Sequence, residues 1–196
     1  VDREGLYHPD HEGLFPSAGA FQAWSKSRGS FSAEKTRLLI AVHSTHLTFQ
    51  QPRVVDALLQ SDLKKRIYVI AAGKLVTSAE GAWALCAGAD FVNTARGFMF
   101  SLGCIQAMRC HLNTCPTGIT THDERLQNGL VVEEKYLRVA NYARNVNKEI
   151  NMIAHSCGLR HAREFKREHV RIVETAGKSV ALNILYPYPE PSRKKT

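Results

Sequence analysis

Arg66-Ile67-Tyr68-Val69-Ile70-Ala71-Ala72-Gly73, followed by Thr77-Ser78-Ala79-Glu80 and then Ala89-Asp90-Phe91-Val92-Asn93-Thr94-Ala95-Arg96-Gly97, is the stretch that decides the fold. Ile67 to Ala72 is a continuous apolar run of the kind that forms a strand buried on both faces. Thr77 and Glu80 have the spacing of a capping box, in which a hydroxyl and a carboxylate three residues on each satisfy an orphan amide. The alanine-rich segment from Ala79 to about Ala87 then reads as a helix ending at Gly88, and Ala89 to Thr94 as a second strand. Strand, helix and strand with tight connections predict a βαβ unit of a parallel sheet.

Outward from this unit, Val54, Val55, Leu58 and Leu59 have helical spacing after Pro52. Leu38 to Val42 could be another buried strand, although residues 1–50 carry no clear pattern and stay unassigned. Val139, Ala143, Val146, Ile150, Ile153 and Cys157 recur at steps of three and four, which predicts an amphipathic helix from about Glu133 to Cys157, stopped by Gly158. A basic helix is expected from about Ala162 to Val170. The prolines of Tyr186-Pro187-Tyr188-Pro189-Glu190-Pro191 forbid helix there and predict an extended tail lying on the body, with a basic end at residues 192–196.

The chain has 196 residues, 44% of them apolar, 8% aromatic and 22% charged. This excludes disorder throughout, and no run reaches the roughly 20 apolar residues of a spanning helix. The start at Val1 lacks a signal-peptide pattern, and an odd number of cysteines, five, argues against a secreted disulfide framework. A cytoplasmic protein is expected. The formal charge is +8, with basic groups at Lys64-Lys65-Arg66, at Arg160 to Arg171 and at Arg193-Lys194-Lys195. Between Arg160 and Arg171 they alternate with Glu164 and Glu168, which reads as a solvated helix face. That interleaving, and the lack of aromatic–basic alternation, argue against a nucleic-acid partner.

Two features carry chemistry. Gly73-Lys74 and Arg96-Gly97 each follow a strand, so in a parallel sheet both loops emerge at the same edge. Glycine there admits close approach of backbone amides to a phosphate, and Lys74 or Arg96 could add full charge; the plain alternative is two tight turns. A phosphate held by the loops after two late strands is the recurring arrangement of TIM barrels. The second feature is Cys104, Cys110 and Cys115, spaced C-x5-C-x4-C and followed by Pro116. Three unrelated thiols, a zinc site completed by His111 or His122, and an iron–sulfur cluster are the alternatives, and a three-thiolate set suits a three-iron cluster best. Cys86 and Cys157 read as inert core thiols.

The run from Gly88 through Cys104-Ile105-Gln106-Ala107-Met108-Arg109-Cys110 to Cys115-Pro116-Thr117-Gly118 resembles the FMN-binding synthase domain of glutamate synthases, especially its stand-alone, single-domain members. The resemblance extends from about Pro52 to Tyr186-Pro187-Tyr188. It implies the C-terminal part of a (β/α)8 TIM barrel with a helical C-terminal extension over residues 51–191. Ile67 to Ala72 would be strand seven and Ala89 to Thr94 strand eight. It further implies FMN held at Gly73, Lys74, Thr94, Ala95, Arg96 and Gly97, and a 3Fe–4S cluster on Cys104, Cys110 and Cys115.

The implied reaction is reductive amination of 2-oxoglutarate to L-glutamate by hydride transfer from reduced FMN. Electrons would come through the cluster from a donor protein or reduced nucleotide, and ammonia from another source, since no amidotransferase segment is visible. No catalytic acid or base is assigned. A full barrel takes roughly 250 residues, and the Gly-Gly-Thr-Gly-Ala stretch expected near strand six is missing. An incomplete barrel is therefore expected, a relic or fragment of a longer protein that alone binds FMN weakly and turns over no substrate. The alternative is a catalytically inactive iron–sulfur or zinc-binding module that acts by binding a partner.

Overall fold

The computed structural model describes residues 38–43 and 47–190; most of the unassigned first 50 residues, Pro191 and the basic tail lie outside the described residues. Three strands, β1 (Leu38–His43), β2 (Ile67–Ala72) and β3 (Phe91–Asn93), form a parallel sheet in the order β1-β2-β3. Helix α1 (Leu47–Gln60) connects the first two strands and α2 (Ser78–Cys86) the second pair. The register sets Leu38 opposite Ile67, Ile70 opposite Phe91 and Ala72 opposite Asn93. Among the described residues this is an open, parallel α/β sheet, and the barrel is not closed.

Side chains of β2 alternate: Ile67, Val69 and Ala71 are buried, whereas Tyr68 and Ile70 are half-buried. The buried set packs with Val55 and Leu58 of α1, Leu75, and Ala84 of α2 in one core. The expectation of a strand buried on both faces is thus corrected, because Tyr68 and Ile70 on the second face are only half-buried. On that face Tyr68 meets Phe91 edge-on, with ring centroids 5.4 Å apart. Strand β3 is shorter than expected because Asp90, just before it, turns its carboxylate onto the Val69 amide (2.7 Å) and the Lys64 ammonium (2.6 Å).

Beyond the sheet lie α3 (Ala95–Leu102), the short α4 (Glu124–Gln127) and the long α5 (Val132–Ser156). Of the predicted α5 stripe, Val146 and Ile150 are buried with Ala82 and Cys86 of α2 and Ile153 packs half-buried against them; Ala154, outside that stripe, is buried with them. The Ser78 hydroxyl donates to Glu149, fixing α2 against α5 a second time. No helix among the described residues is long and apolar enough to cross a membrane.

The C-terminal region departs from expectation. In place of a basic helix over 162–170 there are two single 3-10 turns, Ala162–Glu164 and Arg167–His169, separated by Phe165 and the extended residue Lys166. An antiparallel hairpin of β4 (Arg171–Thr175) and β5 (Lys178–Ala181), followed by α6 (Leu182–Leu185), has no counterpart in the sequence reading. The solvated-face reading fails at Arg167, which is fully buried. Its guanidinium binds Asp56 Oδ1 of α1 at 2.6 Å, the Pro52 carbonyl at 3.3 Å and the Tyr186 carbonyl at 2.8 Å. It also lies over the Tyr188 ring, 4.6 Å from the centroid. The Tyr-Pro-Tyr tail does lie on the body, and Arg167 is the reason. A solvated helix could not deliver this cation to α1.

Removing one partner of such a pair leaves a buried charge uncompensated. Asp56→Ala is expected to lower unfolding stability by roughly 3 kcal/mol, read from the midpoint of urea denaturation at constant slope.

Candidate functional site

Parallel pairing of β2 with β3 brings both C-terminal strand ends to one rim. At the first, Gly73 (φ 139°) and Lys74 (φ 55°) form a turn with left-handed backbone. The chain then enters α2 through its capping box: Glu80 Oε2 accepts from the Val76 and Thr77 amides, both at 2.8 Å, and Thr77 Oγ1 accepts from the Glu80 amide at 3.3 Å. Partial burial pushes the Glu80 carboxyl up, but these amides and the Thr77 hydroxyl outweigh it and hold the group below its ordinary value. The N-terminus of α2 is therefore satisfied from within.

At the second strand end Thr94 is the residue before α3, and its side chain caps nothing. Its hydroxyl lies 2.9 Å from Tyr142 Oη of α5, which donates to the Val76 carbonyl at 2.6 Å. One phenol thus ties together the segments that leave β2 and β3. Gly97 sits beneath it, and a Cβ at that position would overlap the phenol. Phe98 meets the Tyr142 ring edge-on at 5.1 Å. Burial pushes the Tyr142 hydroxyl above its ordinary value; the Thr94 bond opposes this and the Glu80 charge adds to it. The residues read as a loop, Ala95-Arg96-Gly97, are the first turn of α3, whose amides have no intrahelical acceptor.

Helix α3 carries the chain from this turn to the thiols. Gly103, in the left-handed conformation (φ 103°), ends it, and Cys104 comes directly after. Cys110 opens a single 3-10 turn. Three non-glycine residues of this loop, Gln106, Met108 and Asn113, have left-handed backbone. Asn113 anchors the loop to the segment at Thr121 and His122: its carbonyl accepts from Thr121 Oγ1 and its Oδ1 from the His122 amide, both at 2.6 Å.

Cys104, Cys110 and Cys115 are free thiols and line one cavity of ≈ 560 Å³, together with Ala95, Arg96, Arg109 and Thr120. Among the described residues that line the cavity, Arg96 and Arg109 carry positive charge and no Asp or Glu is present. Cys110 is exposed, whereas Cys115 is buried beneath the loop. The Thr117 hydroxyl, 3.4 Å from the sulfur, and then the amide and hydroxyl of Thr120 bring the Cys115 thiol down to about 6. The Thr120 hydroxyl contributes as a nearby dipole, because its oxygen is buried without a hydrogen bond of normal geometry.

Among the described residues no three His, Cys, Asp or Glu side chains gather as a single metal ion would require. The completion of a zinc site by His111 or His122 is therefore not formed. The structure brings Ala95, Arg96 and the three cysteines to one cavity. Gly73, Lys74, Thr94 and Gly97 stand outside its lining. The sequence reading missed Tyr142, Thr117 and Thr120, since none of them lies in a spacing pattern. Cys86 is buried as expected, and burial with the nearby Cys157 pushes it up to about 12. Cys157 itself is exposed, not in the core, because it caps the end of α5.

A model of the conserved region in glutamate synthase matches residues 46–160, more than half of the chain and all of this site. The chain belongs to the glutamate synthase family. It is 48% identical over 118 residues to the glutamate synthase large subunit-like protein YerD of Bacillus subtilis, a match covering 60% of this chain and 22% of that protein. An archaeal glutamate synthase (NADPH) of Methanocaldococcus jannaschii is 32% identical over 106 residues, 54% of this chain and 21% of that protein. A glutamate synthase (NADH) of Schizosaccharomyces pombe is 29% identical over 139 residues, 70% of this chain and 6% of that protein. The chain thus spans about a fifth or less of the length of these relatives. Among solved structures, a double mutant of flavocytochrome b2 with pyruvate bound aligns with a TM-score of 0.47 at 16% identity, over 84% of this chain and 38% of that one.

A thiol lowered to about 6 is largely thiolate at neutral pH. Alkylation of Cys115 by iodoacetamide in the metal-free chain is expected to rise with pH through a midpoint near 6, against about 8.5 for an ordinary cysteine. Peptide mapping by mass spectrometry gives the profile, and Thr117→Val should move that midpoint upward.

Proposed function

We propose that this chain is part of a glutamate synthase-like flavin oxidoreductase that forms L-glutamate from 2-oxoglutarate and ammonia. The observation that carries this reading is the single helix α3, which begins at the uncapped turn Thr94–Gly97 and leads through Gly103 to Cys104. Its first residues and the three thiols line one cavity. The residues fit an FMN phosphate near the first-turn amides of α3, with Arg96 of the cavity lining as the charge. They fit an iron–sulfur cluster as well. The thiols are unpaired, one is held as thiolate, and the orphaned Thr120 hydroxyl lines the same space. A cluster takes its thiolates at separate corners, and the three cysteines line one cavity.

When bound, the flavin supplies hydride transfer and the cluster supplies single electrons from a donor protein or reduced nucleotide. The chain's own part is to bind and orient. Gly97 and Tyr142 fix the start of α3, Gly103 directs Cys104 into the cavity, and Asn113 shapes the loop that holds Cys115. Arg96 and Arg109 make the cavity attractive to anions. A second reading, a non-catalytic iron–sulfur module that docks on a partner, is favoured by the exposure of Ile105, Met108 and Leu112 around Cys110.

Anaerobic reconstitution with iron and sulfide is expected to load about three irons per chain, with visible absorbance to match. Cys110→Ser should lose them. Zinc as the bound metal by elemental analysis, or iron retained in the variant, would overturn the assignment.

A further inference from the structure

Cys115, Pro116, Thr117 and Gly118 form a tight turn, closed by the Gly118 amide on the Cys115 carbonyl at 3.2 Å. Proline in the second place of a turn has its φ fixed by its own ring, which limits where the following side chain can stand. Gly118 (φ 76°) is pressed against α4, and a Cβ there would overlap the Leu126 carbonyl oxygen. Held on both sides, the turn sets the Thr117 hydroxyl 3.4 Å from the Cys115 sulfur.

A thiolate that binds iron has given up its proton. Its sulfur can then only accept, and the Thr117 hydroxyl must donate. The rest of the cavity has the same bias. Arg96 and Arg109 line it without an acidic side chain among the described lining residues, and the Thr120 hydroxyl, buried without a partner, belongs to the same wall.

Reduction of an iron–sulfur cluster takes one electron from the donor and breaks no covalent bond. The added negative charge spreads from the irons onto their sulfur ligands. A hydroxyl that donates to a ligand sulfur therefore binds the reduced form more strongly than the oxidised form. Hydrogen bonds to the sulfurs are among the factors that set cluster potentials, and partners of a ligand tune the metal it holds.

We propose that Thr117 is a positioning residue that raises the reduction potential of a three-iron cluster by donating its hydroxyl proton to the Cys115 sulfur. This rests on the reading of Cys104, Cys110 and Cys115 as cluster ligands. Thr117 acts through Cys115 and not on the irons themselves.

The test uses the full chain, reconstituted anaerobically with iron and sulfide and titrated with dithionite while EPR follows the oxidised cluster. Thr117→Val keeps the branched shape and removes the donor. Its iron content should match that of the parent, and its midpoint potential should fall by roughly 59 mV, a tenfold change in the one-electron equilibrium. Thr117→Ser, which keeps a hydroxyl, should return the midpoint to the parent value. In the parent, transfer to D2O should shift the iron–cysteine stretching bands of the resonance Raman spectrum, and the shift should shrink in Thr117→Val. An unchanged midpoint in iron-loaded Thr117→Val overturns the inference alone. So does an equal fall in Thr117→Ser, or loss of iron from Thr117→Val, either of which makes the residue merely structural. Parent bands unmoved by D2O, or moved equally in Thr117→Val, overturn it as well. Failure of the parent chain to take up iron removes the cluster reading and this inference with it.

Discussion

Parallel pairing of β2 with β3 is the constraint on which the rest of the molecule depends. Two parallel neighbours cannot be joined by a hairpin, so α2 must cross between them, and both strands must end at the same rim. Everything chemical in the chain then starts from one edge. The Gly73–Lys74 turn and the start of α3 become neighbours, and α3 leads away from that edge to the thiols. Helix α5 secures the arrangement by packing on α2 through Ile150 and reaching both exits through Tyr142. With antiparallel pairing the two exits would lie at opposite ends of the sheet.

Local chemistry made much of this legible. The apolar run of β2, the Thr77/Glu80 pair and the spacing of Val146, Ile150 and Ile153 each encode their element within a few residues, and each forms. The cysteine spacing likewise singles out the loop that lines the cavity. What sequence could not show was set by contacts remote in the chain. Arg167 lies among alternating charges that look solvated, yet its partner Asp56 is 111 residues away. Tyr142 reads as one more residue of an amphipathic helix, and its role appears only when Thr94, 48 residues earlier, is in place. The hairpin of β4 and β5 escaped because its side chains are largely exposed and show no clean alternation.

The charge balance divides into separate uses once positions are known. Lys64 neutralises Asp90 beside the sheet, and Arg167 neutralises Asp56. Arg96 and Arg109 face the cavity with no carboxylate in their stretch of chain. Other basic residues form exposed pairs, as Lys178 does with Glu174.

The Arg167 clasp has a kinetic consequence. Local crossings such as β2–α2–β3 join residues a few dozen positions apart, whereas the clasp closes a loop of more than a hundred. Loop-closure entropy and topology place such a contact late. The molecule should therefore assemble from its middle, with the guanidinium sealing the chain only after a nucleus of sheet and helices has formed. Until then the cation remains hydrated, and its burial marks the final step of ordering.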